Sequence, residues 1–99
     1  MSNVRLSSLA QADLLSIAEY TLKTWGQYQV IRYLAELEDC RDRLAANPSL
    51  GRPCDQIRPG LRRIEQGKHV IFYESQARGI LVVRILHRNM LPGRNPMGE

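Results

Sequence analysis

The apolar residues change period along the chain, and the changes mark its elements. Val4 and Leu6 alternate with Arg5 and Ser7, the pattern of a short strand with one buried face. Ser8 and Gln11 then have the spacing of a capping box, and Ala10, Leu14, Ile17, Ala18, Thr21 and Leu22 recur at three and four residues, which predicts a helix burying one stripe. Asp13 falls in its first turns, where the helix dipole favours negative charge. Trp25-Gly26 ends that helix, because glycine readily takes the left-handed conformation of a helix terminus. Val30, Leu34, Leu37, Cys40 and Leu44, with Tyr33 beside them, predict a second helix from about Gln27 to Ala46, stopped by Asn47-Pro48. So short a connection makes the two helices an antiparallel hairpin with a joint apolar face, and Trp25 at the bend reads as a packing anchor.

Residues 47 to 60 hold Pro48, Pro53 and Pro59 with Gly51 and Gly60 and read as an irregular surface connection, with Leu50 turned inward. Leu61 to Glu65 is a strand of mixed polarity, nearer an edge, joined by Gln66-Gly67-Lys68 to the run His69–Glu74. A polar stretch from Ser75 to Gly79 separates that run from Ile80–His87, and the pair reads as a β-hairpin with a longer loop. The last run is almost continuously apolar and so belongs in the sheet interior, covered on both faces. Strict alternation places Arg84 with Ile80, Val82 and Leu86, and His87 with Leu81, Val83 and Ile85. The fold class is α+β, in the order β-α-α-β-β-β, with an antiparallel-rich sheet covered on one face by the helical hairpin. Residues 88–99, with Pro92, Gly93, Pro96 and Gly98, read as a basic mobile tail that either leaves the sheet or lies over it through Met90 and Leu91.

Composition narrows this little. A chain of 99 residues is one domain with one modest core, and 43% hydrophobic with 24% charged residues is ordinary for a globular protein. There is no membrane span, and the N-terminus lacks the apolar stretch of a signal peptide, so the expected location is the cytoplasm. In that compartment Cys40 and Cys54 do not form a disulfide; Cys40 packs in the second helix and Cys54 is a bystander in a proline-rich loop. Charge does change the picture. From Arg52 onward there are nine Arg and Lys against four Asp and Glu, whereas five stand against six before it, so the second half would attract an acidic partner.

The histidines and cysteines show no zinc spacing, and neither a phosphate-cradling glycine loop nor a serine nucleophile elbow is present; no metal or other cofactor is expected. What remains is polar chemistry on the sheet. Arg84, mid-strand, needs a carboxylate or backbone carbonyls, because an unpaired buried guanidinium costs several kcal/mol, roughly. His87 has the chemistry of a general acid or base, with Arg63, Lys68 or Arg84 to steady a phosphate, and a nuclease needs both.

Leu6-Ser7, Ala12-Asp13-Leu14, Ile17-Ala18-Glu19-Tyr20, Trp25-Gly26, Gln29, Tyr33, Leu37, Leu44-Ala45, Asn47-Pro48, Gly51-Arg52, Arg58-Pro59-Gly60-Leu61-Arg62, His69–Tyr73, Arg84–His87 and Met90 follow one another in an order and spacing that resembles the ParE branch of the ParE/RelE toxin superfamily. The resemblance runs over about residues 4 to 90, and the chain departs from it after Met90, where Leu91-Pro92-Gly93 replaces the usual Asp.

This resemblance implies the toxin of a type II toxin–antitoxin system of the plasmid-stabilising kind, a non-enzymatic poison that binds DNA gyrase, arrests growth, and is neutralised by a ParD-type antitoxin. The complex would be a hetero-oligomer that meets operator DNA only through the antitoxin. On this reading Arg62, Arg63, Arg84, His87, Arg88 and Met90 form or support the target surface. The antitoxin's C-terminal segment would wrap the toxin at Leu14, Tyr20, Leu37, Arg58, Arg63 and Tyr73, an acidic amphipathic peptide suiting an exposed helix-hairpin groove and a positive sheet. The other branch, resembling RelE, implies a ribosome-dependent mRNA endonuclease with His87 as acid or base and Arg63 and Arg84 on the phosphate. Against it, Arg88 rather than Tyr follows His87, and a lysine-rich helical surface is missing. A binding module that holds an antitoxin and poisons nothing is the third alternative.

Overall fold

Val4 and Leu6 turn one side of β1 (Asn3–Leu6) inward, and the chain then enters α1 (Ser8–Trp25) in the computed structural model, which describes residues 3–90 and 97. The helix cap is Ser7, not Ser8: the Ser7 hydroxyl oxygen accepts from Ala10 N at 3.0 Å and its proton goes to the Val83 carbonyl at 2.7 Å. Gln11 still reaches back, its Nε2 donating to Leu6 O. One serine earlier is favoured because it satisfies the helix end and a strand carbonyl together. Ala10, Ile17 and Thr21 are buried and Leu14 half-buried, but Leu22 faces solvent.

Gly26, with φ of 92°, makes the whole joint between α1 and α2 (Gln27–Ala46). The α2 limits and its buried face of Leu37, Cys40 and Leu44, with Val30, Tyr33 and Leu34 partly covered, are those the periodicity predicts. Trp25 is not a packing anchor: its ring is 63% exposed.

The connection that follows is more ordered than its prolines suggest. A short 3-10 turn (Pro48–Leu50) leads to β2 (Arg52–Pro53), which pairs with β3 (Leu61–Gln66) at Arg63 and Arg62. Leu50 is exposed rather than tucked in; Gly51 and Cys54 take the inner positions. The Tyr73 hydroxyl accepts from Gly51 N and donates to Pro48 O, both at 2.8 Å, tying the segment to the sheet. A methyl on residue 51 would run into that hydroxyl and Arg63 O, so only glycine passes.

β4 (His69–Gln76) and β5 (Gly79–His87) form the central hairpin, with Ala77 and Arg78 as the turn, so the strands reach further into Ser75 and Gln76 than the polarity suggests. The five strands lie in the order β1-β5-β4-β3-β2, with β1 parallel to β5 and the other pairs antiparallel. β5 is interior, as its apolar run requires.

A bulge changes the faces of β5. Phe72 pairs with Arg84 and Tyr73 with Val82, which leaves Val83 unmatched. Ile80, Val82 and Ile85 therefore share the helix-covered core with Ile71, Tyr73, Leu37, Cys40 and Leu44. Val83 and Leu86 join Cys54, Leu61, Val70, Phe72 and Met97 in a second apolar layer on the opposite face, with Leu81 at its margin. Strict alternation, which groups Leu86 with Ile80 and Val82, fails at this point. Cys54 is fully buried in the second layer and is not a loop bystander; burial pushes both cysteine thiols up, which suits packing rather than nucleophilic attack.

The strand end is held by Arg88 N on Lys68 O and Met90 N on His87 O, each at 2.9 Å. The expectation of a mobile tail, and of Leu91 over the sheet, lies outside the described residues, apart from Met97, which is buried. No helix among the described residues is long and apolar enough to cross a membrane.

Candidate functional site

β1 accompanies β5 only as far as Val82, so the next stretch of β5 has an open edge. Asp13 of α1 closes it. Its Oδ2 accepts from Ile85 N at 2.9 Å and from Arg84 Nε at 2.8 Å, while Oδ1 accepts from Arg84 Nη2 at 2.9 Å. Arg84 is only 9% exposed, and the Asp13 carboxylate pushes its guanidinium further above its ordinary value. It is a clamp between helix and sheet rather than a presented cation. The carboxylate partner is the one its mid-strand position calls for, and from here Arg84 supports a surface rather than presenting its charge to a target or a phosphate.

His87 lies opposite His69 on β4, their ring centroids 5.5 Å apart, edge to face. The Tyr33 hydroxyl of α2 donates to Gln66 O at 3.1 Å and stands 2.6 Å from His69 Nδ1, within hydrogen-bond reach. His87 Nδ1 accepts from Asn89 N, and His87 N donates to Met90 Sδ. Arg88 and Met90 are exposed at this corner.

The other basic residues lie elsewhere. Arg62 donates to the Gly51 and Ser49 carbonyls. Arg63 stacks over Phe72 on the opposite face, 5.7 Å from the ring centre, and donates to Glu65, which also receives Arg52. The Arg63 hydrogen bond is the main cause holding Glu65 below the usual carboxylate range. Arg58 is paired with Glu74 at 2.6 Å. His87, Arg63 and Arg84 are thus not assembled round one phosphate, and the residues expected to meet a target divide into a β2–β3 group, Arg62 and Arg63, and an end group, His87, Arg88 and Met90.

Leu37 and Tyr73 are fully buried, so they support a binding surface without forming it. Tyr20 is exposed, and Leu14 lines a groove of about 360 Å³ on the outer side of the helical hairpin. Leu14, Leu15 and Ala18 of α1 face Leu34 and Ala35 of α2 across it, with Gln11, Glu38 and Arg41 at one end. The alanines let another backbone approach, and Leu22 and Ile31 extend the apolar strip one turn toward the bend. This groove joins an expected contact residue, Leu14, to an open apolar surface. The signal for it in the sequence is a surplus: Leu15 and Ile31 are apolar residues outside the periodic stripes.

His69 gives a pH expectation. Burial, and next the charge of His87, hold its pKa below the ordinary histidine value of 6.5, with Asp13 opposing. Below about pH 6.5 the unfolded chain takes up this proton before the folded one does, so stability should fall as pH drops through that value. Thermal melts between pH 7.5 and 5 should show that slope, and His69→Gln should flatten it; an unchanged slope would place its origin elsewhere.

A family model described as the ParE toxin of type II toxin–antitoxin systems, parDE, matches residues 4–92. Toxin ParE1 of Mycobacterium tuberculosis is 46% identical over 95 residues, covering 95% of this chain and 97% of that protein. Toxin ParE1 of Caulobacter vibrioides is 38% identical over 91% of this chain and 93% of its own length, and Toxin ParE of Escherichia coli is 40% identical over 86% and 84%. Among solved structures, a chain of the chromosomal ParDE system of P. aeruginosa superposes with a TM-score of 0.72 over 88% of this chain and 96% of that one, at 22% identity, a likeness of fold.

Proposed function

The chain belongs to the ParE toxin family of type II toxin–antitoxin systems, and on that premise we propose that it arrests growth by binding DNA gyrase in the cytoplasm and is neutralised by a ParD-type antitoxin. The observation that carries a binding mechanism is the lock on Arg84. With Nε and Nη2 of its guanidinium spent on Asp13, the arginine of β5 is held in a structural pair rather than aimed at a reacting phosphate, and the ring that His87 meets is that of His69. Phosphoryl transfer needs charge placed at the reacting phosphate. The two basic groups, Arg62 and Arg63 on the β2–β3 side and Arg88 at the strand end, suit steering toward an acidic partner.

The antitoxin segment is assigned to the helical groove. Apolar side chains of an amphipathic helix would fill the space between Leu15, Ala18, Leu34 and Ala35, and an acidic residue would meet Arg41, whose Nε is shielded and has no hydrogen-bond partner. In this arrangement the antitoxin bridges toxin to operator DNA, and the complex is a hetero-oligomer.

The test pairs two readouts. Purified protein should inhibit gyrase supercoiling, and its expression alone should stop growth with DNA-damage signalling. Co-expressed ParD-type antitoxin should restore growth, and Ala18→Glu should remain toxic yet escape rescue. Cleavage of ribosome-bound message with gyrase unaffected would overturn the gyrase reading, and normal growth on expression alone would overturn toxicity.

A further inference from the structure

Three segments meet at the end of the molecule that carries the α1–α2 bend. Lys68, in the β3–β4 turn, places its ammonium 5.9 Å from the centre of the Trp25 ring. The same lysine's carbonyl accepts from Arg88 N, which fixes the residue after β5 against this turn. Tyr33 packs beneath Gly67 so closely that a methyl there would strike its ring, so the turn has a set position. The result is an indole 63% exposed, with Tyr28 80% exposed three residues further along the chain, and two exposed cations, Lys68 and Arg88, beside a half-buried histidine pair.

Nothing in the fold requires this arrangement. Trp25 buries little, and the helices are already joined by Gly26. The carboxylates whose charge reaches this end are committed: Asp13 to Arg84, and Glu36 to Arg32 at 3.6 Å. Lys68 and Arg88 are the exposed charged residues of this turn and strand end. An exposed indole with one cation over its ring, and a second cation on the residue bonded through its backbone to that same turn, is matched by a ligand with its own flat faces and regularly placed negative charges. Stacking on an aromatic ring plus phosphate pairing is how unpaired strands are held without sequence preference.

We propose that Trp25, Lys68 and Arg88 form a single-stranded nucleic acid contact, with an unpaired base stacked on the indole and flanking phosphates drawn to the two cations. Under the gyrase reading the strand would be DNA opened by that enzyme, but the contact itself needs no gyrase. A duplex has no exposed base face to offer and binds less well. An acidic peptide satisfies the cations and leaves the indole unused.

Trp25 is the only tryptophan, so intrinsic fluorescence reports this contact directly. Titration of the full chain with a short oligothymidylate at low salt should quench the emission to saturation. Two phosphate contacts at roughly 0.7 of a charge each predict about 25-fold weaker binding for a tenfold rise in salt. With a labelled oligomer read by anisotropy, Trp25→Ala should weaken binding about tenfold, an order expected for one stacked base. Lys68→Glu and Arg88→Glu should each weaken it and flatten the salt slope, while thermal melts stay unchanged because all three side chains are exposed. No quenching, equal binding of an abasic oligomer, or an oligoglutamate peptide bound as tightly would each overturn the proposal. Gyrase is absent from the assay, so its outcome and that of the supercoiling test are independent.

Discussion

Asp13→Ala is expected to cost about 3–5 kcal/mol of folding stability, the range for removing one partner of a buried ion pair. The carboxylate holds two guanidinium nitrogens and the Ile85 amide, and the Asp13 and Arg84 side chains are 13% and 11% exposed. Removal therefore leaves a shielded cation and an open strand amide at the same place. Against a total of about 5–15 kcal/mol for a domain, such a variant would be partly unfolded at 37 °C. Urea titration should show a lower midpoint with an unchanged slope. Asp13→Asn combined with Arg84→Met should recover most of the loss, because the amide oxygen still serves Ile85 N and no charge remains buried. A loss below about 1 kcal/mol for Asp13→Ala would make the pair equivalent to a surface salt bridge and refute the clamp.

The same pair shows where the sequence stops being legible. Asp13 in the first turns of a helix has a sufficient local explanation in the helix dipole, and nothing local signals a partner 71 positions away. Arg84 announces that it needs a carboxylate but not which one. The limits of α2 and the interior place of β5 were legible because each rests on many apolar residues repeating one period. The bulge at Val83 was not, because the apolar residues of β5 suit either face, and Arg84, the polar residue beside the slip, asks for a partner in either register. β2 was hidden by its length and by Pro53, which an edge strand tolerates. For the candidate site, the resemblance to known toxins supplied the residue types. It could not separate Leu37 and Tyr73, which hold the core, from Leu14, which lines the groove, since all sit on apolar periodic positions. Burial decides that, and burial depends on which helix face the sheet covers.

Gly79→Ala should have the second large effect, about 2–5 kcal/mol, and should act on one strand. Gly79 has φ of 145° and pairs with Asn3 at the start of the parallel β1–β5 ladder. A methyl at this position would collide with the Asn3 backbone, so β1 must move aside as well as residue 79 accept strain. Strained backbone contributes about 1–3 kcal/mol and overpacking about the same. The displacement would spread to Ser7, whose amide donates to Val82 O and whose hydroxyl holds Val83 O while capping α1. Amide exchange should therefore quicken in β1 and the first turn of α1 while the β3–β4 pair keeps its protection. Gly60→Ala is the control: φ is 82° there, but nothing lies within 4 Å of the added carbon, so it carries backbone strain without collision. Equal costs for the two variants would assign the whole effect to φ and leave Asn3 without a role; a larger cost at Gly79, localised to β1, would show that the close approach of two backbones fixes the parallel strand.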